Sequence, residues 1–361
     1  DSSIIDKVTY TSDTTARVPG ANLTVARRGP GASSSKSNAL PGTAPIPTTS
    51  TPSRGYFGGG RDSSSTALSI VDKITYSTDT TARIPGADLP DIAFQQGAVG
   101  NFENGYFSGG YQPSVPGIQS TVYKLTYSTD TSTTLPTAGA LSAARRYHAG
   151  VGSLNAGYFV GGYESSPVSN TDKLTFSSDT TAAVPGAKST ENRFGAAGAG
   201  NSDAGYIAGG NPAPVPPTSG RWSFVDKLTY SSDTTALVPG ANLVRETYAF
   251  AATGNSFFGY FGGGAGAVRS EMNKMTYSND TMAAVPSAFL ATGRRFLGAT
   301  GDSNAGYFAG GENPSVVATT EKITYSTDTI ATVASAALGA ARKDHSGVKD
   351  FTSVAASPNI I

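Results

Sequence analysis

Lys73-Ile74-Thr75-Tyr76-Ser77-Thr78-Asp79 decides the fold, because the phrase recurs with small changes at Lys7, Lys124, Lys173, Lys227, Lys274 and Lys322. Steps mostly of about 50 residues point to a propeller, in which each repeat is one small sheet that cannot bury its faces alone. A second phrase, Gly-Tyr-Phe-x-Gly-Gly, recurs out of phase with the first at Gly55, Gly105, Gly157, Gly205 (with Ile in place of Phe), Gly259 and Gly306. Seven copies of one phrase therefore stand against six of the other.

Residues 147–186 show the order within a repeat: Tyr-His-Ala-Gly-Val-Gly, then Gly157 to Gly162, then Asp172 to Ser178, then Thr181 to Gly186. These are four strand-sized pieces. The first two are joined by segments rich in turn residues, as in Gly-Asn-Ser-Asp-Ala-Gly (200–205), and the last two by Ser-x-Asp-Thr, whose Asp can accept hydrogen bonds from the turn backbone. In the main phrase Ile74 and Tyr76 alternate with Lys73, Thr75 and Ser77, the period-2 pattern of a strand with one face inward. The closing Gly-Gly reads as a place where strands approach closely near a narrow centre. Each repeat thus reads as a four-stranded antiparallel blade, and the chain as all-β.

The chain opens on the third and fourth strands of a blade (Asp6 to Pro19) and ends on a first-strand equivalent (His345 to Lys349) followed by Thr352 to Ile361. This predicts one domain over 1–361, a seven-bladed β-propeller whose last blade is closed by strands from both termini, leaving no open edge. Residues 29–54, rich in Ser, Pro and Thr, read as an extended surface loop inserted within it, solvated or in contact with a neighbouring subunit in a homo-oligomer. The sequence starts at Asp1 instead of Met, which fits a processed product or a piece of something longer.

The 361 residues carry 26 basic and 26 acidic side chains, with no dense basic run, so nucleic acid is not an expected partner. There is no Cys, which removes disulfides, thiolate metal sites and cysteine nucleophiles. No apolar run has the length of a membrane span, so no membrane insertion is expected. The two histidines, His148 and His345, occupy one repeat position and read as blade residues, not as a catalytic pair. No catalytic residue, cofactor or metal site is expected, and the chain reads as a non-enzyme.

The connections after the second and fourth strands gather on one face of such a ring, and those after the second strand vary most: 61–71, 111–122, 163–171, 211–225, 265–272 and 312–320. Variation on one face of a repeated frame is how a binding surface is built, although drift in surface loops gives the same pattern. Tyr111, Tyr163 and Trp222, the one Trp, lie in these loops and could stack on sugar rings or pack within their loops. An Arg also recurs at one repeat position: Arg27, Arg145, Arg193, Arg294 and Arg342, with Ala93 and Thr247 as exceptions. Arg145, Arg193, Arg294 and Arg342 could line the channel mouth and face a uronic acid or phosphate, or could hydrogen-bond neighbouring carbonyls.

The Tyr-Phe-x-Gly-Gly ending, the later aromatic of the third strand and the Arg before the first strand resemble a kelch-type blade. Asp72 to Thr80, with Gly-Tyr-Phe-x-Gly-Gly and Ala-Arg-Arg, is similar to repeats in structural proteins of marine cyanobacterial phages, and Asn279-Asp280-Thr281 after Tyr277-Ser278 is the nearest match. Lys stands here where the phage phrase usually has Arg. The resemblance implies a virion component, on a tail fibre or surface appendage, located at the virion surface or outside the cell. It implies adhesion to host-surface carbohydrate, or contact with other virion proteins, through the variable loop face. A bacterial extracellular adhesion or scaffold propeller and a glycan-active hydrolase are the alternative readings.

Overall fold

The computed structural model describes residues 54–115, 117–212 and 220–349, together with the backbone of 6–9 and 14–17. It divides into two compact units, Asp1–Thr48 and Thr49–Ile361. In the first, Asp6–Thr9 pairs antiparallel with Thr14–Arg17 as a two-stranded sheet. The rest of the insertion up to residue 53, Arg27 and the segment from Thr352 to Ile361 lie outside the described residues.

The second unit holds six four-stranded antiparallel sheets. We number the blades from the first inner strand: blade one is Gly97–Gly100, Asn104–Ser108, Val122–Thr126 and Thr131–Thr134. Blades two to five follow in chain order with inner strands Ala149–Gly152, Ala197–Gly200, Ala251–Gly254 and Gly298–Gly301. Blade six takes its inner strand, Ser346–Lys349, from late in the chain and its other three, Arg54–Gly58, Val71–Thr75 and Thr80–Arg83, from early in it. Single 3₁₀ turns follow four of the outer strands, and no α-helix occurs among the described residues.

The all-β propeller with four-stranded blades is thus present, but with six blades and not seven. The expected seventh blade, shared by Asp6 to Pro19 and the end of the chain, is not seen among the described residues. Among the described residues, the first copy of the Lys phrase forms a two-stranded sheet with Thr14–Arg17, and no further strand joins that sheet. Six copies of the second phrase, not seven of the first, count the blades, because a blade needs its second strand to join the inner strand to the third.

The recurrent phrases hold neighbouring blades together. The phrase Lys and the Tyr of Gly-Tyr-Phe in each blade reach the phrase Asp of the next: Tyr56 and Lys73 to Asp130, Tyr106 and Lys124 to Asp179, Tyr158 and Lys173 to Asp233. Tyr206 and Lys227 bind Asp280, Tyr260 and Lys274 bind Asp328, and Tyr307 and Lys322 return to Asp79. Lys–Asp distances run from 2.6 to 2.8 Å. Each such Tyr also stacks on the third-strand aromatic of the next blade, as Tyr56 does on Tyr127 at 5.1 Å and Tyr206 on Tyr277 at 5.0 Å. The cycle closes without a break.

The glycine pairs sit at close backbone approaches, where a Cβ on Gly109 would lie 2.3 Å from the Arg145 carbonyl oxygen, and they also turn the chain. Gly109 and Gly110, at φ +58° and +93°, turn the chain out of the second strand in a conformation that favours glycine. The Gly110 N–H then donates to the Arg145 carbonyl at the next blade's linker. The inner strands also approach closely at the narrow centre, where a Cβ on Gly150 would lie 2.0 Å from the Ala98 carbonyl oxygen.

Candidate functional site: the channel mouth

Six residues enter the inner strands at one register: Gln95, Tyr147, Gly195, Ala249, Phe296 and Asp344, with φ between 55° and 66°. Their backbones form a closed hydrogen-bonded circle. The N–H of Tyr147 donates to Gln95, Gly195 to Tyr147, Ala249 to Gly195, Phe296 to Ala249, Asp344 to Phe296 and Gln95 to Asp344, at 2.8–2.9 Å. Each N–H turns to the preceding blade because the left-handed conformation rotates the peptide out of its own strand, and the circle fixes the rim of the channel. A cavity of about 140 Å³ lies at this mouth, lined by these residues and by the inner strands below them.

The backbone circle repeats, whereas its side chains do not. Over blades one to four the rim and the residue beside it supply aromatics: Phe94, Tyr147, Phe194 and Tyr248, with Tyr111 and Tyr163 bridged to Phe94 and Arg146. Tyr147 lies 5.7 Å from Phe194 and 6.2 Å from Phe296, and Tyr163 meets Phe194 edge-on at 5.5 Å. Over blades five and six the same positions, Phe296 apart, are ionic. Arg61 grips Asp344 at 2.6 Å, Arg295 binds Glu312 at 2.9 Å, and Lys343 also pairs with Glu312.

Arg146 stands within the aromatic half. Its guanidinium carbon is 5.9, 5.6 and 5.2 Å from the ring centres of Tyr111, Tyr147 and Tyr163, and Nη1 donates to the Gln95 side-chain oxygen at 3.1 Å. Among the described residues it has no carboxylate within ion-pair distance, unlike the cations of the ionic half. Arg146 and its three tyrosines are all half-buried and so reachable by a ligand. Burial lifts the carboxyl of Asp344 above its ordinary range against the pull of Arg61. Burial, with Asp344 nearby, lifts the Tyr147 hydroxyl well above 10, so it is a neutral donor at neutral pH.

The sequence candidates separate in the structure. Tyr111 and Tyr163 come together around Arg146, whereas Trp222 packs 5.2 Å from Phe224 in another loop. Arg145, Arg193, Arg294 and Arg342 do not line the mouth. Their side chains are 0–4% exposed and pair with Asp172, Asp226, Glu321 and Asp72, so their charge is spent inside the blade. Each guanidinium also donates to a second-strand carbonyl of its own blade, as Arg145 does to Phe159 and Arg342 to Phe57. One signal in the sequence marks the residues missed: the position two after the recurrent Arg reads Gln, Tyr, Gly, Ala, Phe and Asp around the ring, the least repetitive register beside the most repetitive one.

The opposite end of the channel holds a cavity of about 100 Å³. There the Lys349 ammonium crosses from blade six to donate to the Gly254 carbonyl of blade four at 2.7 Å. His148 and His345 are buried between blades. Desolvation, helped by Arg145 and Arg342 respectively, holds both imidazoles well below their ordinary range, and Gly97 N–H donates to His148 Nε2 at 3.2 Å. Among the described residues no group of three or more His, Asp or Glu gathers as a metal site, and no helix is long and apolar enough to cross a membrane. No family model and no curated protein matches the chain.

Proposed function

We propose that the chain is a noncatalytic recognition module of a virion surface or tail appendage, and that its channel mouth binds host-surface carbohydrate. The observation that carries the binding site is Arg146, a cation without a carboxylate partner among the described residues, set among three reachable tyrosines on a rim fixed by a backbone circle. Tyrosine rings offer flat apolar faces to the C–H face of a pyranose, and their hydroxyls with Gln95 offer partners to sugar hydroxyls. The guanidinium suits an acidic sugar, whose carboxylate it can hold through two parallel hydrogen bonds. The placement at a virion rests on the repeated phrase and its likeness to phage structural repeats.

Binding of the whole chain to arrays of neutral and uronic-acid oligosaccharides tests the reading. Acidic saccharides are expected to bind, and Tyr163→Ala and Arg146→Met each to weaken binding by about tenfold or more, about 1.4 kcal/mol, with an unchanged melting temperature. Absence of binding to any saccharide overturns the site. Release of shortened sugars from bound material overturns the noncatalytic reading.

A further inference from the structure

The top of blade four is built unlike its five sisters. In blades two, three, five and six the space between the inward linker and the second and third strands is filled by the Arg–carboxylate pair described above. Blade one has Ala93 in place of the Arg and Tyr123 in place of the acid, and the Tyr123 ring, 2% exposed and hydrogen-bonded to Gln112, fills the slot. Blade four has Thr247 and Asn273, and neither fills it. Thr247 Oγ1 turns to the Ala265 carbonyl at 3.1 Å, and Asn273 Oδ1 accepts the Val244 N–H at 3.0 Å.

A cavity of about 200 Å³ remains, its walls mostly apolar, with Phe250, Phe261, Met272 and Val285, and with Arg245, Arg269 and Glu271 also along it. A second feature shapes it. The outer strands of the other five blades have four residues, whereas that of blade four runs from Thr281 to Phe289 and pairs Phe289 with Glu271, so that Phe289 joins Val285 and Pro286 along the wall. The register shift between Glu271 and Asn273 accommodates this extension. Val244 and Phe289, 60% and 48% exposed, stand at the opening.

We infer that blade four carries a binding site, separate from the channel mouth, for an uncharged apolar group the size of a six-membered ring. The charge demand of the sister slots is gone, since Asn replaces the carboxylate and Thr the guanidinium. What remains is mostly apolar wall, with Arg245 paired to Glu271, around a volume comparable to the cavity of about 150 Å³ that in another protein stays dry and takes up benzene. An open exposed rim gives such a group a way in.

Benzene is the probe, with the whole chain. Saturable binding by calorimetry and a melting temperature that rises with benzene concentration are expected, and a crystal under xenon pressure should place the gas in this slot. Thr247→Arg with Asn273→Asp, which rebuilds the sister pair, and Val285→Phe, which fills the slot from the outer strand, should each weaken benzene binding by about tenfold or more while saccharide binding at the mouth is kept. No saturable binding by the native chain, xenon found only elsewhere, or undiminished binding in whichever filling variant folds overturns the inference.

Discussion

Asp79, Asp130, Asp179, Asp233, Asp280 and Asp328 sit at φ of 52–55°, where Asn and Gly are equally at home, yet Asp stands at all six. The repeated choice is explained by charge: each carboxylate accepts a Tyr hydroxyl and a Lys ammonium from the preceding blade. Asp233→Asn keeps the turn and loses the charge, and should cost about 1–2 kcal/mol in denaturant unfolding; a loss no greater than that of a surface control would show that the turn alone selects Asp. Burial by itself would raise the carboxyls of Asp130, Asp233 and Asp280, but hydrogen bonds from Lys73 with Tyr56, Lys173 with Tyr158 and Lys227 with Tyr206 hold them below the ordinary range. A lowered folded value means that this stability is present above the unfolded value of about 4 and is lost as pH falls through it to the folded values. Tyr158 is pushed up to about 12, first by burial and then by Asp233, so its contribution is present below about 10 and is lost as pH rises from about 10 to about 12. Unfolding midpoints should therefore form a plateau from about pH 5 to about pH 9 and fall on both sides, and a midpoint unchanged down to about pH 3 would sink the acidic half of this account.

At the scale of the element, the linker into each inner strand does two jobs through one residue. The Arg145 carbonyl accepts the Gly110 N–H of blade one, while its side chain binds Asp172 and Phe159 of blade two. The guanidinium and carboxylate are both fully buried, so removing one partner strands the other charge at a cost of about 3–5 kcal/mol. Asp172→Asn should show that loss. Adding Arg145→Thr, which transplants the pair found in blade four, removes the stranded charge and leaves a cavity instead, so the double variant should be the more stable of the two. Chemical unfolding of both variants decides it: a double variant less stable than Asp172→Asn would mean that the Arg stem contributes more by packing than its charge costs when unpaired.

For the whole molecule, ring closure depends on pairing between Ser346–Lys349 and Arg54–Gly58, strands almost three hundred residues apart in sequence. Deleting residues 346–361 should expose the edge of blade six and the flanks of its neighbours, and give aggregation on gel filtration. All six blades lie between Arg54 and Lys349. Deleting residues 1–48 should therefore leave a folded, cooperatively melting ring; loss of that ring would show that the first copy of the phrase has a part in holding it.

The repeat, the four-stranded blade and the all-β class were legible in the sequence because each rests on local order: alternation within a strand, turn chemistry between strands, and a period close to 50. Which count gave the blade number was not legible, since a Lys phrase reads the same in a complete blade and in a two-stranded hairpin. The meaning of Arg145 was hidden for a related reason. An Arg at one repeat position is equally consistent with a channel lining and a buried ion pair, and only packing brings Asp172 to it, although Thr247 with Asn273 and Ala93 with Tyr123 already record in the sequence that Arg and acid are lost together. Tyr111 and Tyr163 could be named from their loops, but Arg146 and Tyr147 could not, because a site is a set of residues from several blades and the circle that aligns them exists only when the ring has closed.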